Sequence, residues 1–459
     1  MTSGSLSENR FTHGPLPAIF IRTAGPIVFV MTVNGLLTVV DAIFLGIYNG
    51  PDALSAVTLI FPVYMLIVAL STLVSSGMSS ILARRLGSGD QDGAQTVFAG
   101  AHGLALVISL GLMGLFLILG KPLVLLIAGG NGLLAGMGWV YLGIMVAASP
   151  VLLFLSLNTD ALRNEGLAGR MAMLSLIVSL ANILFNYMLI GWLGLGVAGS
   201  ALGTALAQML ALGLVAAMRL SGQTPLGAAL PWRGGWGTGW RGILALGLPQ
   251  SLSFIGIALV SASILGALQL VGGAEYAVTT AAYGIVTRIM TFTFLPLLAM
   301  SMTLQSMVGN NFGAGLRLRS DACLRLILVF ALLYGAAVEI SLILSGQALA
   351  HLFVQDPHVT AAVGRILPVM VAMYFLAGPL MMVGAYFQAL GEAPRAAVIS
   401  LAKPYFFAIP SILILPRFFG EQAVWLSMPL AEMLLAGVTL VVLVQSARAQ
   451  KRRLGLFTA

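Results

Sequence analysis

Acids and bases are almost missing from twelve long stretches of this chain, and that constrains its fold more than any other feature. A helix needs about 20 apolar residues to cross a hydrocarbon core. Stretches of that length or more run over 18–47, 53–82, 94–119, 135–161, 168–191 and 197–219 in the first half. In the second half they run over 241–270, 276–307, 321–347, 359–390, 394–416 and 420–446. Several exceed the minimum, which implies tilted helices or ends that project from the bilayer. Only 8% of the 459 residues are Asp, Glu, Lys or Arg, against about 25% in a typical soluble domain. That is too little charge to clothe a soluble surface, so the expected fold is an all-α integral membrane protein with twelve transmembrane helices.

The basic residues orient the spans, because loops rich in Lys and Arg stay in the cytoplasm. Arg84 and Arg85, Arg163 and Arg170, Arg219 with Arg233 and Arg241, Arg317 and Arg319, and Arg395 occupy alternate loops. The tail "RAQKRR" falls on the same side, and Lys121 and Arg417 are the main exceptions. Both termini are therefore expected in the cytoplasm of a multi-pass protein of a bacterial inner membrane. The net charge of +8, which in a soluble chain would suggest nucleic acid, is explained by topology, and membrane lipid is the expected surrounding partner. The opening "MTSGSLSENRFTHG" lacks a charged segment followed by a short apolar core, so it reads as a frayed tail and not as a cleaved signal. One cysteine, Cys323, and four scattered histidines provide no metal-ligand spacing, and no cofactor is expected.

The longest loop, 221–240, is rich in Gly, Pro and Trp and reads as a cytoplasmic linker with interfacial anchors. It divides the chain into a tail (1–17), a six-helix bundle (18–220), the linker, a second six-helix bundle (241–446) and a basic tail (447–459). The halves resemble each other weakly: "AGPIV" matches "GLPQS", "ARRLGSGD" matches "GNNFGAGL", and "RNEGLAGRMA" matches "QALGEAPRAA", at one offset of about 225 residues. Six spans per copy is an even number, so the copies share an orientation and are related by a pseudo-two-fold axis along the membrane normal. Two such bundles suit alternating access.

With these motifs in order, the chain resembles the MATE family of multidrug and toxin extrusion antiporters. The resemblance rests on "VDAIFLG", "ARRLGSGD", "LRNEGLAGR", "NILFNYMLIGWLGLGVAGSALGTALAQ", "GNNFGAG" and "FQALGEAPR". "LRNEG" places it on the DinF/MepA-like side of that family. The resemblance implies a proton- or sodium-coupled antiporter, expected to work as a monomer, that exports small amphipathic and often cationic drugs.

Residue depth, at 1.5 Å per residue, brings separated polar groups to one level. Asp41 falls in the outer half of span one, with Asn34 two turns earlier on the same face. Asn182 and Asn186 lie one turn apart in the outer half of span five, and Thr204 lies near the start of span six. An intramembrane acid is costly and functional by default. Asp41 could titrate, or could hold Na⁺ with the oxygens of Asn182, Asn186 and Thr204; the bland alternative is a bonded acid that fixes helix packing. The resemblance implies that the acid matching Asp41 carries cation coupling and that the matching polar positions complete the site. This sequence departs from it at Asn186, where many relatives carry Asp, which favours protons over tight Na⁺ binding. Pro26 is expected to bend span one.

In the second half, Arg288, Lys403 and Glu432 share one mid-span depth and Glu339 lies in the outer half of span nine. A neutralising Glu432–Lys403 or Glu432–Arg288 pair competes with a second protonation or substrate site. NorM-like relatives carry an acid in the first span of this half, and "IGIALVSASI" has none. "GLGVAG" (Gly194 to Gly199) has the glycine spacing of a dinucleotide loop, but it follows a membrane helix, so it reads as a tight turn. No G-x-x-x-x-G-K-[ST] occurs, which excludes direct use of ATP through that loop. A flippase for polyprenyl-linked sugars would want a basic cleft, for which Arg288 and Lys403 are the only deep cations. A lipid transferase would have to use His351, Asp356 and His358, which read better as a plain loop.

Overall fold

The computed structural model describes residues 9–229, 234–271, 275–354, 356–450 and 452–458; the side chains at 36–43, 45–47, 49, 51 and 450 also lie outside the description. The described chain is helical throughout, apart from turns and one isolated bridge between Arg453 and Phe457. Ten helices are long and apolar enough to cross a membrane, and two further pairs qualify as bent spans. Together they make the twelve spans that hydropathy dictates.

Spans one and two form one helix, Leu16–Gly87, interrupted only at Gly50, whose φ of 78° places it in the left-handed region. Span one passes Pro26 without leaving helical dihedrals. Spans three to six are Gln91–Ile127, the pair Gly132–Ala147 and Ser149–Asn164, Ala168–Trp192, and Gly196–Leu220. The pair bends by 48° at Ala148, where Pro150 has no amide hydrogen and its ring crowds the preceding turn. Spans seven to nine are Trp240–Val271, Tyr276–Gly313 and Arg317–Ala350. Span ten is the pair Pro357–Val371 and Tyr374–Leu390, bent by 44°, and spans eleven and twelve are Ala393–Phe419 and Gln422–Ala449.

The chain clusters into two compact units, 1–251 and 252–459. In the first, Ile60, Val74, Met78, Leu82, Phe98, Leu104, Leu142 and Leu157 form one buried cluster from spans two, three and four. Close helix contact rests on small residues, as expected where lipid provides no hydrophobic drive. A Cβ on Gly77 would stand 2.0 Å from the Ile243 carbonyl oxygen, and one on Gly247 would stand 1.8 Å from that of Leu73. Large apolar side chains such as Leu117, Ile118 and Leu344 point outward, where lipid covers them.

The linker and the C-terminal tail are both packed. The linker lies against span three: Gln95 and Gly227 exchange two hydrogen bonds (3.0 and 3.3 Å), and Trp240 Nε1 donates to Gly100 O at 2.9 Å. Gly103 admits the Trp236 carbonyl so closely that a Cβ would meet it at 1.9 Å. At the other end of the chain, residues 452–458 fold back on the second unit. Tyr386 donates to Leu456 O at 2.7 Å, Thr458 N donates to Asp321 Oδ2 at 2.7 Å, and Arg325 covers the Phe457 ring at 4.5 Å. Nor is the N-terminal tail frayed from residue 9 onward, since Phe11 is only 1% exposed.

Candidate functional site

Two hydrogen bonds tie spans one, five and six together, and a third joins two asparagines of span five. Ser179 Oγ donates to Asn34 Oδ1 at 3.1 Å, Asn182 Nδ2 to Thr204 Oγ1 at 3.0 Å, and Asn186 Nδ2 to Asn182 Oδ1 at 3.4 Å. The i,i+4 spacing of the two asparagines puts both on the face toward span six. Asn182 and Asn186 are buried, and Thr204 Oγ1 also donates to Ser200 O at 3.2 Å. Directly after Asn186 the helix widens into a π-helical stretch, Tyr187–Trp192, a form that interrupts the regular ladder and frequently marks functional sites. Asn182, Asn186 and Thr204 are thus in one place, with Asn34 joined through Ser179. The Asp41 side chain lies outside the described residues.

Gly203 shapes this cluster. A Cβ there would stand 2.1 Å from Asn186 Oδ1 and 3.2 Å from its backbone nitrogen. Gly203→Ala should therefore cost about 1–3 kcal/mol through overpacking. Pairing it with Asn186→Ala should recover most of that loss in a denaturation double-mutant cycle; full additivity would show that the two positions do not press on each other.

The second unit separates Arg288 from Lys403 and Glu432, which sequence depth places at one level, and gives Glu339 a role of its own. Lys403 Nζ is hydrogen-bonded to Glu432 Oε1, and Glu432 is buried. Lys403 sits in a second π-helical stretch, Ala402–Ala408, opened by Pro404, whose ring packs against Gly256. Arg288 is exposed and makes no ion pair among the described residues. Glu339 takes a different role, accepting from Met373 N at 3.2 Å and Phe375 N at 2.9 Å. These are the free amides at the break in span ten, where Met373 has φ 70°, an uncommon conformation for a non-glycine residue. A carboxylate on a helix N-terminus satisfies orphan donors and meets the positive end of the dipole. Glu339→Gln keeps one acceptor and sets an amide donor against the other N–H. Since bonds to a charged group contribute about 1.5–3 kcal/mol, amide exchange at 373–376 should quicken by roughly 10- to 100-fold; unchanged exchange would show that the break holds without the charge.

At the base of the first unit lies a polar network that sequence depth does not single out. Arg219 donates from Nη1 to Glu165 Oε1 at 2.9 Å and from Nε to Asn158 Oδ1 at 2.6 Å, and stacks on Phe98 at 4.5 Å. Asn158 Nδ2 meets His102 Nε2 at 3.2 Å, and His102 Nδ1 meets Phe98 O at 2.8 Å. Beside it, Arg163 donates to Asp160 at 3.0 Å and to Ser79 at 2.9 Å, and Asn164 donates to Ser79 at 2.7 Å. Burial raises the Glu165 carboxyl pKa above its ordinary range, despite the opposing charge and hydrogen bond of Arg219 and the charge of Arg170. The ion pair alone would argue for a lowered value. Burial dominates here because Oε2 of Glu165 has no hydrogen-bond partner among the described residues. The signal in the sequence was the polar run "LNTDALRNEG" at the end of an otherwise apolar span. In the second unit, Asp356 caps span ten through His358 N at 2.8 Å, which accounts for that pair as a helix start. Among the described residues no three His, Cys, Asp or Glu gather as a metal site would require.

Twelve apolar spans in two units, with a buried uncharged polar cluster in the first and a half-buried Lys paired with a buried Glu in the second, describe a multi-pass membrane protein with polar groups inside its bundles. Comparison with known proteins sharpens that class. The MatE family model matches twice, over residues 26–188 and 251–413. The chain belongs to this family. The two matches start 225 residues apart (26 and 251), which confirms the repeat. The chain is similar to the FAD transporter of Shewanella oneidensis, 25% identical over 92% of this chain and 93% of that one. It is likewise 25% identical to the multidrug export protein MepA of Staphylococcus haemolyticus, over 88% of each chain. Its fold matches a transporter of the MOP superfamily from Pyrococcus furiosus with a TM-score of 0.87, covering 98% of this chain and 100% of that one at 23% identity.

Proposed function

We propose that the chain is a cation-coupled antiporter, using protons or sodium, that exports amphipathic and often cationic drugs by alternating access across a bacterial inner membrane. Its termini and the loops rich in Arg face the cytoplasm in this reading, by the asymmetry of basic residues. The single observation that supports it best is the polar cluster of spans five and six, held at the level of residue 41. Asn34 of span one bonds to Ser179 of span five. Farther along, the Tyr48 ring lies 3.6 Å from where a Cβ on Gly191 would stand. Residue 41 is seven positions from each of Asn34 and Tyr48, so it falls midway between these two tie points. Asn182 and Asn186 occupy the same interval on span five, about one turn and two turns beyond Ser179. A carboxylate on span one near that level can take up and release a proton, which suits proton exchange. The oxygens of Asn182, Asn186 and Thr204 suit a dehydrated monovalent cation, but with one carboxylate in place of two the balance favours the proton.

The test is dye efflux from proteoliposomes of the purified protein under an imposed proton gradient and, separately, an imposed sodium gradient. The proton gradient should drive efflux more strongly; if neither gradient drives it, coupling is not the function. The similarity to a protein named FAD transporter favours testing a second substrate class, an anionic dinucleotide. Competition of FAD against a cationic dye in the same assay separates the two readings.

A further inference from the structure

A cavity of about 690 Å³ opens at the base of the first unit, between the N-terminal segment, the start of span one and the start of span five. Its basic lining is Arg10, His13 and Arg22, and no acid among the described residues lines it. Neither arginine forms an ion pair among the described residues. The wall they form is fixed. Phe11, between Arg10 and His13, is buried, and its amide donates to Asn9 Oδ1 at 3.1 Å, while Asn9 Nδ2 reaches Leu86 O at 3.4 Å. The Arg10 stem lies along Gly166, where a Cβ would meet its Cβ and Cδ at 3.4 Å. Ala18, Ile19 and Ala168 provide an apolar side to the same space.

We propose that this cavity binds the phosphate of an anionic phospholipid headgroup. Two guanidiniums without an ion pair among the described residues offer forked donors matched to phosphate oxygens. The volume is roughly twenty times that of one water, which accommodates a headgroup with its glycerol and leaves a bare ion loosely held. The apolar side suits the first methylenes of an acyl chain. The assignment rests on the cytoplasmic orientation given above, since anionic lipid and its attraction for basic segments are concentrated at that leaflet. It does not depend on which ion drives transport.

Native mass spectrometry of the full chain in detergent, with phosphatidylglycerol or phosphatidylcholine added, tests the assignment without any gradient. Wild-type protein should retain phosphatidylglycerol in preference to phosphatidylcholine. Arg10→Gln with Arg22→Gln should weaken that retention by roughly 10- to 30-fold. Arg317→Gln, which removes an exposed charge from the other unit, should leave it unchanged. Gly169→Glu is the second variant, since its Cβ meets nothing within 4 Å and its carboxylate would join the cavity lining. It should abolish retention even if the double arginine variant folds poorly. Equal retention by wild type and Gly169→Glu, or an equal loss with Arg317→Gln, overturns the site. Displacement of the lipid by millimolar inorganic phosphate, with matching protection against thermal unfolding, would assign the same arginines to free phosphate and overturn the lipid as occupant.

Discussion

Arg219→Met is expected to destabilise the first unit by about 3–5 kcal/mol, the usual cost of removing one partner from a buried ion pair. Arg219 is 4% exposed, and one guanidinium serves Glu165, Asn158, the Leu226 carbonyl and the Phe98 ring. Methionine fills much of the volume but leaves the Glu165 carboxylate buried with neither oxygen matched. The sign of the pH dependence follows. Burial already raises the folded-state pKa of Glu165, and losing Arg219 raises it further. Between the ordinary carboxylate pKa and that raised value, the folded state binds more protons than the unfolded one, so stability falls as pH rises through this window. The variant should accordingly recover stability on acidification more than the wild type does. Arg219→Met combined with Glu165→Gln should regain a large part of the loss at neutral pH. Denaturation of the four proteins in detergent across pH measures both effects. A single-variant loss below about 1 kcal/mol, the range of a surface pair, would show that water reaches the pair.

The elements that were legible in the sequence are those governed by local composition. Twelve spans follow from runs of about 20 apolar residues, and most are present within a few residues of their expected bounds, span three running eight residues farther than expected. The breaks within spans were not legible, because proline does not mark them uniquely. Pro122, Pro249, Pro296 and Pro429 all lie inside helices that continue past them. Span ten breaks instead at Met373, where Glu339, 34 positions earlier, holds the freed amides. The packed tail was hidden for the same reason. Its anchor, Asp321, lies 137 positions from Thr458, and no period or local motif connects them. Depth grouped Asn182, Asn186 and Thr204 correctly because helix geometry converts sequence spacing into distance along one axis. It failed to separate Arg288 from the Lys403–Glu432 pair because depth carries no information about direction around a helix.

Asp41→Asn is expected to reduce gradient-driven dye efflux to the leak of protein-free liposomes under both proton and sodium gradients. No other acid lies between residues 18 and 51, and spans five and six contain none over 168–220. With Asp41 at the level proposed above, these three spans therefore have a single carboxylate able to exchange a proton near neutral pH or to neutralise a bound cation. Asparagine keeps the size and an acceptor oxygen, so the packing defined by the Asn34–Ser179 and Asn182–Thr204 bonds should survive, and thermal unfolding should shift little. That contrast separates a coupling role from a structural one: an acid that only fixed packing would lose stability and keep efflux. Asn186→Asp provides the converse. It adds a second carboxylate one turn from Asn182, and a cluster with two negative charges pays less to hold a dehydrated cation. Efflux by this variant should depend more on sodium than wild-type efflux does, and the added acid should restore nothing to Asp41→Asn if residue 41 itself must exchange the proton. Recovery of proton-driven efflux in the double variant would show instead that any carboxylate at this level suffices, and that the position along the bundle, more than the particular helix, sets the coupling.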